Sequence, residues 1–141
     1  MKRLLVLALL SLGICLSVRA QRLPDTVTPE SYDLSFTPDL TMAAFAGSET
    51  IRVQLLKPTS TVTLNAAELE FQEASITAGG TTQSATYAFD AEKEQVTLTV
   101  AKQMPAGPAE IRTTFTGILN DKLRGFYLSK SERRNYAVTQ F

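Results

Sequence analysis

Three acids stand close together in FDAEKE, at Asp90, Glu92 and Glu94. Clustered carboxylates can bind calcium or move protons. Calcium needs a longer series of oxygen ligands with a glycine at the sharp turn, and no glycine or asparagine pattern accompanies these acids. They read as the solvated tip of a hairpin. Ser129, Lys130 and Ser131 have the residue types of a serine–lysine nucleophile pair. Adjacent residues of an extended segment point to opposite faces, so Ser129 and Lys130 do not meet. Asn120 and Asp121 read as turn formers. The chain has no histidine, and its one cysteine is Cys15, near the start. A Ser–His–Asp triad and the usual zinc ligands are therefore missing. AGG at 78–80 lacks the lysine of a phosphate loop and reads as a hairpin loop. No catalytic residue and no metal ligand is assigned.

The first residues have a different character. MKR is a short basic region, LLVLALLSLGICLSV is apolar, and Val18 and Ala20 are small residues before Gln21. This is the pattern of a signal peptide over 1–20, cleaved to leave a domain over 21–141. The apolar stretch is short for a membrane span, and Ile14 before Cys15 does not fit a lipoprotein site, so no stable membrane anchor is expected. The expected location is exported, periplasmic or extracellular. Lys2, Arg3 and Arg19 would leave with the leader, which takes the 14 bases to 11 against 14 acids, net −3. The exported product would carry no thiol. An acidic domain without a basic run is not expected to bind nucleic acid.

The elements that would position any site are strands. Tyr32, Leu34 and Phe36 share a face, as do Ile51, Val53 and Leu55, then Val62 and Leu64. Leu69 and Phe71 have opposite parity to Ile76, which predicts a bulge or bend near Glu73 and Ala74. Tyr87 and Phe89 are expected to face Val96, Leu98 and Val100, and Ala109, Ile111 and Phe115 alternate. Turn signals recur between these runs, and no helical stripe appears. Seven or eight short strands in an all-β, antiparallel curved sandwich are expected. Residues 118–135 read as a long irregular excursion before a last strand in YAVTQF, which runs to Phe141 with no turn or cap after it.

LPDTVTPESYDLSFTPDL, FAGSETIRV, VTLNAAEL, GILNDKLRGFYLS and YAVTQF occur in that order. Together they resemble the amino-terminal domain of the aminopeptidase N family of zinc aminopeptidases. The resemblance covers essentially all of the chain after the leader. It implies a saddle-like β-domain that precedes a thermolysin-like catalytic domain. It also implies that zinc belongs to the complete enzyme, with no cofactor in this chain. The family's HExxH zinc helix and Gly-x-Met-Glu-Asn motif are not in this sequence. The glutamine of the family's TQ pair edges the substrate cleft and shapes the pocket for the first substrate side chain. Gln140 matches it, and is the one substrate-binding residue that carries over. Leu128 stands where the family often has arginine after GFY.

The resemblance thus implies a non-catalytic domain of a secreted aminopeptidase that removes amino-terminal residues from peptides, truncated ahead of its catalytic part. Its implied partner is that missing catalytic domain, and a peptide substrate binds only in the complete enzyme. The surface carrying GFY and TQF, with Phe126, Tyr127 and Phe141, would be covered by that domain. The alternative is a stand-alone secreted binding module on the same sandwich. An unfinished strand edge argues against it.

Overall fold

The computed structural model describes residues 23–123 and 125–140. The leader, Cys15 and Phe141 lie outside them, and so do the expectations that rest on those residues.

Among the described residues nine strands follow one another: β1 Val27–Asp39, β2 Ala44–Leu55, β3 Thr59–Asn65, β4 Leu69–Ala78, β5 Thr81–Asp90, β6 Gln95–Met104, β7 Gly107–Ile118, β8 Gly125–Lys130 and β9 Asn135–Gln140. Among the described residues, none forms a helix long and apolar enough to cross a membrane. The first seven strands make one sheet, ordered β1-β2-β7-β4-β5-β6-β3, and every pairing in it is antiparallel. β8 and β9 form a separate antiparallel pair. The all-β, antiparallel, curved architecture is as expected.

The curvature has a local cause. β5 pairs with β4 through Thr81–Ser84, then with β6 from Ala85 to Asp90. One strand therefore serves two leaves, and the sheet turns at the exchange. The two faces follow from alternation. Ile51, Val53 and Leu55 of β2, Ile76 of β4 and Ile111 of β7 share the buried core with Val62, Val96, Leu98 and Val100 of the other leaf. Tyr87 ties the leaves together, because its hydroxyl donates to the Phe71 carbonyl at 3.0 Å. The expected bulge is present, as a register shift between Phe71 and Glu73.

One end of the core is aromatic. Phe45 lies opposite Gly117, and Gly47 opposite Phe115, across β2 and β7. A Cβ on Gly47 would meet the Phe115 ring at 2.5 Å, and one on Gly117 would meet the Phe45 ring at 2.3 Å. Each ring therefore lies over the glycine of the neighbouring strand, which leaves room for a cluster with Phe36, Phe71 and Phe126.

Two expectations are corrected. The first strand was expected to break at TPDL, residues 37–40, but β1 continues to Asp39; Pro38 sits exposed at the terminus of an edge strand, where a missing donor costs nothing. The supposed excursion contains β8. Only Phe126 and Leu128 mark its inward face, and charged residues flank them, so the periodic signal is two residues long.

Candidate functional site

The β8–β9 hairpin is held to the sheet through β8. Its Phe126 ring is 5.1 Å from Phe36 and 5.0 Å from Phe45, centre to centre. Leu128 is buried, and its amide donates to the Asn120 carbonyl at 2.9 Å. Phe126, expected on the surface that a catalytic domain would cover, instead packs against the core. Phe126 faces Thr139 and Leu128 faces Ala137 across the hairpin. By alternation the opposite side carries Tyr127, Tyr136, Val138 and Gln140. Gln140 is exposed, opposite Gly125 at the open end of the hairpin. Tyr136 is also exposed, and Arg134 stacks over its ring at 4.9 Å.

Beside the anchored end of this hairpin runs a groove of about 400 Å³. Its wall is Leu34, Phe36, Phe45, Leu69, Phe115 and Phe126. Glu49 lies among these apolar groups, opposite Leu34 in β1 and Thr113 in β7. Glu49 has the same parity as Ile51 and Val53, so alternation turns it inward. No hydrogen bond or ion pair among the described residues holds its carboxylate. Burial pushes the Glu49 carboxyl above its ordinary value of 4.5. Thr113 beside it is buried, and its Oγ1 has no partner among the described residues. Glu68 and Glu94 approach the groove from turns at left-handed φ of 55° and 50°. Glu68 is engaged by Lys122 and by Asn120 Nδ2, the latter at 3.1 Å. Glu49 was legible as an inward position two residues before Ile51.

A raised carboxyl value means that the folded domain favours the neutral acid. The cost is absent below the unfolded value and fully present above the folded one. Glu49→Gln is therefore expected to raise the denaturant midpoint at neutral pH and to leave it unchanged below about pH 4. Urea unfolding at both pH values checks this. A variant less stable than the parent at neutral pH would contradict it.

The remaining candidates are not brought together. Asp90 caps the β5–β6 turn, where hydrogen bonds from the Lys93 side chain and then its amide hold it below the usual carboxylate range. Ser129 and Lys130 are successive residues of β8. Asn120 is a turn former, its Oδ1 accepting from the Lys122 amide at 2.8 Å. Among the described residues no group of three or more His, Cys, Asp or Glu is placed to hold a metal. With no histidine in the chain, the donor set does not fit zinc.

The order of the strands and the hairpin on its aromatic anchor can be set beside known proteins. The sequence profile of the peptidase M1 N-terminal domain matches residues 28–141. The chain belongs to this family. The M1 domain is 42% identical over 124 residues to Aminopeptidase M1-B of Oryza sativa subsp. japonica, covering 85% of this chain and 14% of that protein. It is 36% identical over 131 residues to Aminopeptidase M1 of Arabidopsis thaliana, covering 85% and 15%. It is 34% identical over 123 residues to Aminopeptidase 2, mitochondrial, of Saccharomyces cerevisiae, covering 84% and 13%. The M1 domain thus spans about one-seventh of the length of these relatives. They correct the expected location. A relative that is mitochondrial by name matches 84% of this chain, so the relatives point away from export.

Proposed function

We propose that this chain is the non-catalytic amino-terminal domain of an aminopeptidase and that its β8–β9 hairpin borders the substrate cleft of the complete enzyme. The reaction would be removal of amino-terminal residues from peptides, with a metal, zinc by family resemblance, held by the catalytic part. Gln140 would shape the pocket for the first substrate side chain. The observation that carries this reading is the family match over 28–141, in aminopeptidases of which the match covers about one-seventh. The hairpin geometry supports it: the inward side is fastened to the core, and the outward side offers Tyr127, Val138 and Gln140 to a neighbour.

A chimera tests the reading. Residues 23–140 of this chain replace the matching segment of Aminopeptidase M1-B, and hydrolysis of aminoacyl arylamides is measured. The chimera should be active, whereas the 141-residue chain alone should show no hydrolysis. A folded but inactive chimera, or hydrolysis by the isolated chain with stoichiometric bound metal, would sink the proposal.

A further inference from the structure

The groove beside Glu49 has a composition that the cleft-bordering role does not use. Its wall is aromatic and aliphatic, and its charged lining groups among the described residues are carboxylates, Glu49, Glu68 and Glu94. Glu68 is matched by Lys122. Glu49 is half-buried on the core side of β2 and has no partner among the described residues. A carboxylate taken from water without a donor is unfavourable, and an arriving cation recovers that cost. A metal ion does not suit the site, since calcium takes six to eight oxygen ligands and aromatic rings supply none. A guanidinium does suit it. It is weakly hydrated and planar, pairs with a carboxylate through two hydrogen bonds, and is attracted to aromatic faces. Lysine keeps its water more tightly and gains less from such a wall.

The mouth of the groove identifies the carrier. Leu34 lines it and is 48% exposed, an apolar side chain that a free small cation would leave uncovered. A chain segment with an apolar residue next to its cation would cover it. We infer that this groove docks an arginine side chain of a partner polypeptide, its guanidinium on Glu49 and a neighbouring apolar residue over Leu34. The docking holds whether or not the domain borders a peptidase cleft.

The probe is a blocked tetrapeptide, acetyl-Ala-Leu-Arg-Ala-amide, titrated into the 141-residue chain at low salt by calorimetry. Its companion carries citrulline, a neutral near-isostere, in place of arginine. The arginine peptide should bind about tenfold tighter or more, a preference that added salt weakens. Glu49→Gln should bring the ratio close to one, chiefly by weakening the arginine peptide. Circular dichroism checks that the variant is folded; if it is not, Glu49→Asp, which shortens the reach of the same charge, should lower the ratio. An arginine-to-citrulline ratio near one in the parent, or one that survives Glu49→Gln, overturns the inference. Binding of acetylarginine amide as tight as the peptide would mean a small-molecule guanidinium site and also overturns it. So would self-association by light scattering that Glu49→Gln abolishes, because the occupant would then be a second copy.

Discussion

Phe115→Ala is expected to lower the stability of the domain by about 3–5 kcal/mol, the range for losing a large core aromatic. Phe115 is 3% exposed and lies within 6.4 Å, centre to centre, of Phe36, Phe45 and Phe71. The cost sits at the upper end because the site cannot collapse. Below the ring is Gly47, which has no side chain to move into the space, and both belong to interior strands of a seven-stranded sheet. Small domains are stable by only about 5–15 kcal/mol, so such a loss takes a large part of the total. Urea titration reads it as a fall in midpoint at unchanged slope. A midpoint equal to the parent's would mean that the ring does not hold the two ends of the aromatic cluster together.

Strand faces were legible where apolar residues alternate over three or more positions. Ile51, Val53, Leu98 and Ile111 are buried on the faces their spacing assigns, and the parity break at Phe71 located a bulge to within a residue. Leu64 is only partly buried, although Val62 on the same face of β3 is fully buried. Tyr32 and Leu34 share the core face yet stay exposed, for β1 is an edge strand and the second leaf does not reach them. Alternation reports which side a residue faces, not whether anything lies opposite.

The site was legible in a different way. Gln140 came from a family resemblance, and nothing in its own neighbourhood marks it. Its hairpin was only half visible, since β9 has five alternating residues and β8 just two inward ones. Glu49 is the reverse case, for its position is a plain consequence of period two, while its chemistry conflicts with that position. Such a conflict between local pattern and residue type is where a functional or strained site is expected. The turns that bring Glu68 and Glu94 to the groove depend on left-handed backbone at non-glycine residues, for which the sequence carries no signal.

In the chimera with Aminopeptidase M1-B, Phe126→Ala is expected to cut peptidase activity by about tenfold or more, a larger loss than its effect on folding would explain. The seven-stranded sheet does not need Phe126 for any strand pairing, and Phe36, Phe45 and Phe115 still contact one another without it. The hairpin does need it. β9 pairs only with β8, and β8 is fixed to the sheet by Phe126, Leu128 and the bond from the Leu128 amide to Asn120. With the ring removed, an aromatic anchor of the hairpin is gone, and the strand that carries Gln140 is expected to shift relative to the rest of the domain. A misplacement of about 1 Å at a cleft can cost two orders of magnitude in rate. Phe115→Ala should show the opposite balance, with a large fall in midpoint and activity retained by the fraction that stays folded. Measuring both variants for urea midpoint and arylamide hydrolysis separates the two roles. If Phe126→Ala lowers activity only in proportion to the unfolded fraction, the hairpin is not a positioning element, and Gln140 has no part in the cleft.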